Sequence, residues 1–226
     1  MSNPLPVAVV LSGCGVNDGT EITEAVALII ALSEAGLPYA FHAPDREQAV
    51  TDHLSGDTAA GTRSILAESA RIARGDIAPL DALQIDKVSA LAFPGGFGAT
   101  RNLTTFATDG EQARLYPDVA RVMRDALATG TPVLAMCAAP LVLGLAARDA
   151  GLRDVDLTVG ATAGNPLAAA LAAWGQHPVD RPVDGVCVDS ARRLISVPAY
   201  MCAGANPASI YAAARAAVSA LTALAR

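Results

Sequence analysis

The sequence has no apolar run long enough to cross a membrane, and it has no excess of basic residues. A membrane-spanning helix needs about 20 consecutive apolar residues. The formal net charge of the 226 residues is −6, which disfavours contact with nucleic-acid phosphates and with anionic lipids. We therefore expect a protein that binds neither nucleic acid nor a membrane. The start of the chain also lacks the basic segment and the cleavage site of a secretory signal, which favours a cytoplasmic location.

Cysteine and histidine are scarce, with four and three residues in the chain. No two cysteines form a C-x-x-C pair, so neither a disulfide framework nor a zinc site is indicated. The glycine-rich segment 13–19 lacks the third glycine of a dinucleotide-binding fingerprint and the lysine of a phosphate-binding loop. These absences predict a protein without a metal and without a bound cofactor.

Apolar residues are abundant, at 52% of the chain, and they occur in a regular order. The patterns predict strands at 7–12, 39–43, 88–93, 131–136 and 157–160, and helices at 20–35, 62–74, 111–128, 167–174 and 207–224. A hairpin is expected at 185–197, and a loop or short excursion at 46–62. The alternation predicts an α/β fold with a mostly parallel, doubly wound sheet, built as one domain over residues 1–226.

Cys137 is the most informative single residue, because it stands between a predicted buried strand and a helix that begins near Pro140. A thiol at such a corner lies at the carboxyl edge of the sheet, in the manner of a nucleophile elbow. The helix N-terminus should favour the thiolate. The alternative is the ordinary role of a free cysteine as a small buried apolar residue.

Two glycine-rich segments, 13–19 and 94–98, follow other predicted strands at the same edge, where ligands bind in such folds. Backbone N–H groups in the second segment and at Ala138 could form an oxyanion hole. Glu21 and Glu24 share one face of the first helix, and either could complement the helix dipole or act as a general acid and base. Their spacing does not choose between them.

Histidine is the usual base for a cysteine nucleophile. His42, at the end of the second strand, is the histidine nearest to the expected site, and His177 opens an expected edge segment. We interpret both of these residues, and His53, as structural.

Four groups of motifs, in this order along the chain, carry a resemblance that runs almost from end to end. They lie at 9–25, at 93–99 with 102–103, at 136–140 and at 197–201. They resemble the ElbB-like proteins, which are isoprenoid-biosynthesis proteins with an amidotransferase-like domain. That family belongs to the superfamily of the PfpI peptidases and the parkinsonism-associated deglycase.

The resemblance implies a flavodoxin-like fold of the class I glutamine amidotransferase type, usually as a homodimer. It implies that Cys137 is the nucleophile, that Glu24 is its acid, and that the oxyanion donors are Gly96 and Ala138. The expected substrate contacts lie in the same motifs and are Gly95, Asn102, Cys14 and Tyr200. The implied activity is that of a glutathione-independent glyoxalase, which converts glyoxal or methylglyoxal to glycolate or lactate in a small pocket.

The chain departs from the family pattern in its histidines. Peptidase members carry a histidine directly after the cysteine, where this chain has Ala138, and deglycase members carry one later, where segment 158–163 has none. These departures disfavour peptidase activity and predict slow turnover. Two alternatives stay open. One is a non-enzymatic, redox-sensing or isoprenoid-associated protein whose Cys137 is oxidised, and the other is an amidase or amidotransferase subunit that uses His177.

Overall fold

The most apolar segments of the chain form the centre of a seven-stranded sheet. The computed structural model describes residues 4–225, so residues 1–3, part of the segment searched for a secretory signal, and residue 226 lie outside it. The strands in chain order are β1 (Val7–Val10), β2 (Tyr39–Ala43), β3 (Glu47–Thr51), β4 (Thr58–Ser64), β5 (Ile77–Pro79), β6 (Ala90–Phe93), β7 (Val133–Met136), β8 (Asp156–Leu157), β9 (His177–Pro178), β10 (Cys187–Asp189) and β11 (Leu194–Val197).

The main sheet has the order β10-β11-β7-β6-β1-β2-β5. Only β10 runs antiparallel to its neighbour, β11, and the other pairs are parallel. Every residue of β1, β6 and β7 is buried, which is typical of parallel strands covered on both faces. The predicted mostly parallel α/β fold is therefore confirmed, and so is the antiparallel hairpin near residues 185–197.

The helices are α1 (Ile22–Glu34), α2 (Ile65–Ile72), α3 (Phe106–Asp109), α4 (Pro117–Thr129), α5 (Pro140–Asp149), α6 (Pro166–Ala173) and α7 (Pro207–Ala225). Helix α1 packs along the alanine-rich α7, and α4 packs against α5. Four of these helices begin with a proline, a position at which a backbone N–H would have no hydrogen-bond acceptor within the helix. Within the described residues, no helix combines the length and the apolarity that a membrane span requires.

Several sequence-based boundaries are wrong. Segment 46–62 is not a loop, because β3 and β4 pair as an antiparallel hairpin with an irregular register at Ala49 and Val50. Residues 62–64 belong to β4, and α2 begins only after Ser64, whose Oγ accepts the N–H of Ala67 at 3.2 Å.

The other differences also concern short elements. The strand expected at 157–160 is reduced to β8, which pairs with β9. The helix expected from residue 111 begins at Pro117, since the chain before it forms α3, a 3₁₀ turn and a π-helical turn at Ala99–Leu103. None of these differences alters the strand ends that carry the predicted site.

Candidate active site

Cys137 occupies a sharp, left-handed turn between β7 and α5. Its φ angle is 59°, a region that residues with a side chain rarely adopt. The turn is held on the sheet side, where the N–H of Cys137 donates to the carbonyl of Val197 at 2.9 Å. On the helix side Pro140 starts α5. The geometry is that of a strained elbow which projects the thiol beyond the end of the sheet.

Glu24 lies in the first turn of α1 with no exposed surface, and its carboxyl joins three parts of the chain. Oε2 accepts the N–H of Gly95 at 2.9 Å, and Oε1 accepts the N–H of Tyr200 at 3.2 Å. The thiol of Cys137 lies beside the same carboxyl, close enough that each group shifts the pKa of the other. Glu21 instead caps α1, since its Oε2 accepts the N–H of Glu24 at 2.6 Å. Glu21 therefore serves as the cap of α1, and Glu24 is the carboxyl that lies beside the thiol.

Burial dominates the protonation chemistry of the pair. It raises the pKa of Glu24 to about 7, and the hydrogen bond from Tyr200 opposes the rise. Burial also raises the pKa of the Cys137 thiol well above its usual value, and the neighbouring Glu24 raises it further. The expectation that the helix N-terminus favours a thiolate is thus wrong for the resting protein, because desolvation outweighs the helix. Near neutral pH the carboxyl is the group that exchanges its proton.

Two backbone N–H groups face the sulfur, those of Gly96 and Ala138, and both oppose the rise in the thiol pKa. The φ angle of Gly96 is 100°, and a Cβ there would lie 2.5 Å from the nitrogen of Glu21. A Cβ on Gly95 would lie 2.5 Å from Oε2 of Glu24 and 3.0 Å from Sγ of Cys137. Both glycines therefore permit an approach between backbone and site that no larger residue allows.

A pocket of about 380 Å³ opens above the thiol. Its polar floor consists of Cys137, Gly96 and Ala138, with Glu21 at one side. Its other walls are largely apolar and come from Val16, Phe97, Tyr200 and Met201. The site thus combines a thiol, a titrating carboxyl beneath it and two N–H donors, which suits addition to a carbonyl and movement of a proton.

Two of the expected substrate contacts are wrong, because Asn102 and Cys14 do not line this pocket. The amide nitrogen of Asn102 donates to the carbonyls of Ser12 and Asp18 and to Oε1 of Gln48, at 2.7–2.9 Å. Asn102 therefore holds the segment 13–19 in place. Cys14 is half-buried elsewhere on that segment, where burial raises its thiol pKa. Tyr200 does line the pocket, whereas Gly95 contacts Glu24 beneath it.

Three apolar residues of the pocket, Val16, Phe97 and Met201, were not assigned a role from sequence. Val16 and Phe97 are 40% and 47% exposed, although they are apolar and lie in segments 13–19 and 94–98. Apolar residues inside glycine-rich segments at the expected site were the available signal. Their exposure itself could not be read from the sequence.

The three histidines lie outside the pocket. His42 is buried on β2, and burial lowers its pKa. His53 accepts the N–H of Asn17 at 3.2 Å, and His177 lies 2.6 Å from an oxygen of Asp156 on the surface. Across residues 4–225, no cluster of three histidine, cysteine or acidic side chains is placed to hold a metal ion.

No protein-family model matches the chain. The chain is 42% identical over 216 residues to human "Glutamine amidotransferase-like class 1 domain-containing protein 3, mitochondrial", covering 89% of this chain and 78% of that protein. It is 41% identical over 207 residues to the rat "ES1 protein homolog, mitochondrial", covering 87% and 75%. The names of these relatives place them in mitochondria, so the expectation of a cytoplasmic location is wrong by this comparison.

Solved structures extend the comparison to the whole described fold. An isoprenoid biosynthesis protein with an amidotransferase-like domain from Ehrlichia chaffeensis matches with a TM-score of 0.89 at 28% identity, over 98% of this chain and 100% of that one. Drosophila melanogaster DJ-1beta matches with a TM-score of 0.53 at 19% identity, over 99% and 96% of the two chains. The second match shows a shared fold alone.

Proposed function

The chain belongs to the family of the ES1 and glutamine amidotransferase-like class 1 domain proteins, within the DJ-1 and PfpI superfamily, and from this we propose that it is a cysteine-dependent glyoxalase. The resemblance to the ElbB-like proteins is thereby confirmed. The proposed reaction converts glyoxal or methylglyoxal and water to glycolate or lactate without glutathione. The observation that carries the proposal is the buried carboxyl of Glu24, which contacts the Cys137 thiol and has a pKa of about 7.

The proposed reaction begins with addition of the thiol to one aldehyde. As Glu24 takes the proton of the S–H group, the sulfur of Cys137 forms a bond to the carbonyl carbon. The former carbonyl oxygen becomes an alkoxide and is stabilised by two N–H donors, of Gly96 and Ala138. Proton return to that oxygen gives a neutral hemithioacetal. The high pKa of the resting thiol means that addition and proton transfer are coupled, which fits a slow enzyme.

Glu24 then moves a proton between the two carbons. Its carboxylate removes the hydrogen from the carbon that bears sulfur, which gives an enediol, and a proton is returned to the neighbouring carbon. The product of this step is a thioester of Cys137 with the hydroxy acid. Water attacks the thioester, the carbon–sulfur bond breaks, and the thiol and the hydroxy acid are released. The sum is one dicarbonyl and one water to one hydroxy acid, so no external oxidant or reductant is needed.

The amidotransferase alternative has less support. A cysteine–histidine–acid triad needs an imidazole within hydrogen-bond reach of the thiol. His177, the residue named for that role, instead contacts Asp156 at the surface, and no histidine among the described residues lines the pocket.

We also propose that the protein is a homodimer that uses the outer face of α1. Ile22, Val26 and Ile30 follow one another at four-residue intervals and are 44–47% exposed. Single exposed apolar residues are normal, but three in a row form a continuous stripe. A second copy related by two-fold symmetry would bring two identical stripes together. The stripe begins one residue after Glu21, so the interface would lie beside the pocket.

The test is an assay of glycolate or lactate formation from glyoxal or methylglyoxal. Cys137→Ser should abolish the activity, and Glu24→Gln should lower kcat by about 10²-fold or more, the usual loss when acid–base catalysis is removed. Glu21→Gln should cost less, since the amide oxygen can still cap α1. Glu111→Gln, on an exposed 3₁₀ turn, is the matched control and should leave the rate unchanged.

Each contrary outcome has a distinct meaning. Glycolate formation by Cys137→Ser at the wild-type rate would exclude a covalent role for the thiol. Equal losses in the Glu24 and Glu21 variants would mean that the wrong acid has been assigned. Absence of turnover together with ready oxidation of Cys137 to the sulfinic acid would favour the redox-sensing alternative.

A further inference from the structure

The pocket above Cys137 is larger than a two- or three-carbon dicarbonyl requires. Its volume is about 380 Å³. Because one water molecule takes up about 30 Å³ in the liquid, the pocket has room for roughly a dozen non-hydrogen atoms. Glyoxal or methylglyoxal would occupy the floor of the pocket and leave most of the volume above it to water.

The space that such a small molecule would leave open is bounded by apolar side chains. Val16 and Phe97, with 40% and 47% of their surface exposed, form the mouth, and Tyr200 and Met201 line the same pocket. The two mouth residues form one unit, since the N–H of Phe97 donates to the carbonyl of Val16 at 2.7 Å. An apolar group that covers them would remove this surface from water.

The charge of the residues that line the pocket disfavours anionic ligands. Of the described residues that line the pocket, none is basic, and Glu21 is acidic. The backbone donors at Gly96 and Ala138 face the sulfur, where the oxygen of a reacting carbonyl would need them. A carboxylate or phosphate on the substrate would therefore find no partner and would meet an acidic side chain.

We infer that this pocket selects uncharged oxoaldehydes that carry an apolar substituent, such as a branched alkyl chain or a phenyl ring. The aldehyde carbon would lie at Cys137, and the substituent would extend between Val16 and Phe97. Anionic carbonyl compounds are excluded by the acidic, cation-free lining. The identity of the reacting group rests on the proposed function, whereas the preference for uncharged apolar groups rests on the pocket alone.

Alkylation of the thiol tests the pocket without any enzymatic turnover. Three alkylating reagents that differ in size and charge are compared. Iodoacetamide is small and neutral, N-benzyl iodoacetamide is neutral and carries an apolar ring, and iodoacetate is anionic. For each reagent, the rate at which Cys137 in the full chain is labelled is measured by peptide mass. That rate is divided by the rate at which the same reagent labels free cysteine amide, which corrects for the reagent's own reactivity. The benzyl reagent should be favoured at least about tenfold over iodoacetamide, and iodoacetate should be slowest.

Phe97→Ser should remove the preference for the benzyl reagent. Leu54→Ser, at a fully exposed leucine of the β3–β4 hairpin, is the control and should keep it. Equal normalised rates for the three reagents, a faster rate with iodoacetate, or no labelling of Cys137 by any of them would overturn the inference.

Measurements of enzymatic turnover distinguish a failure of this inference from a failure of the proposed function. The kcat/KM for isopropylglyoxal should exceed that for glyoxal, and Phe97→Ser should reduce the difference. A benzyl preference in labelling without turnover of any oxoaldehyde would support the pocket assignment and reject the glyoxalase. Turnover of glyoxal with no size preference in either experiment would reject the pocket assignment and leave the glyoxalase standing.

Discussion

Glu24 should make the stability of the folded protein fall as the pH rises, and Glu24→Gln should remove that dependence. The pKa of the carboxyl is about 7 in the folded chain and 4.5 for the ordinary exposed group. Between these values the folded state keeps a proton that the unfolded state has released. The contribution is therefore fully present below about pH 4.5 and is lost as the pH rises through about 7.

The magnitude follows from the two pKa values. At about 1.4 kcal/mol for each pH unit, the interval from 4.5 to about 7 corresponds to about 3.5 kcal/mol in the free energy of unfolding. The substitution also has an effect that does not depend on pH. Both carboxyl oxygens accept a backbone N–H, whereas a glutamine amide offers only one oxygen, so one hydrogen bond is lost at about 1–3 kcal/mol. The slope against pH is therefore the informative quantity.

The assay is urea unfolding followed by circular dichroism, from about pH 5.5 to pH 8, above the isoelectric point near 5.0. Over this range the stability of the wild type, relative to Glu24→Gln, should fall by about 2 kcal/mol and then level off above about pH 7. Glu111→Gln should run parallel to the wild type. If the wild type and Glu24→Gln gave parallel curves, the carboxyl would not hold its proton near neutral pH, and the reasoning from burial would be refuted.

Four further outcomes are expected. Turnover should rise with pH through about 7, because the carboxylate form of Glu24 is the base; a flat profile in a kcat measurement would contradict this. Gly96→Ala should lower kcat by about 10²-fold or more, while Gly164→Ala, at another positive φ but in open space, should leave it intact. Asn102→Ala should lower the free energy of unfolding by about 1–3 kcal/mol in urea titrations, since three buried acceptors lose their donor. Val26→Glu should give a monomer in light scattering, where the wild type should give a dimer.

The sequence predicted those parts of the fold that depend on local apolar patterns. Strands β1, β6 and β7 are short runs that are buried throughout, and such runs can be recognised without knowledge of their neighbours. The elbow at Cys137 was predicted for the same reason. The β3–β4 hairpin was missed because its strands are largely polar and partly exposed. Its contacts are with residues distant in the chain, such as the bond from Thr51 N–H to Asp18.

The prediction of the candidate site is limited in the same way, because local patterns do not report contacts between distant parts of the chain. Spacing placed Glu21 and Glu24 on one face, but it could not report the contacts that distinguish them. The N–H groups of Gly95 and Tyr200, both far along the chain, donate to Glu24, whereas Glu21 caps α1. The local rule for a cysteine at a helix N-terminus predicted a low thiol pKa. The burial that reverses this prediction is produced by tertiary packing, which no local pattern reports.

Glu24 receives its backbone donors from residues that lie 71 and 176 positions later in the chain. During synthesis on a ribosome, α1 therefore emerges long before either donor exists, and its carboxyl stays hydrated until β11 has docked beside β7. The nascent chain consequently carries Cys137 as an ordinary exposed thiol before the elbow closes around it. Electrophiles in the cell meet a different cysteine before and after folding, so their damage to this protein depends on its rate of synthesis as well as on its amount.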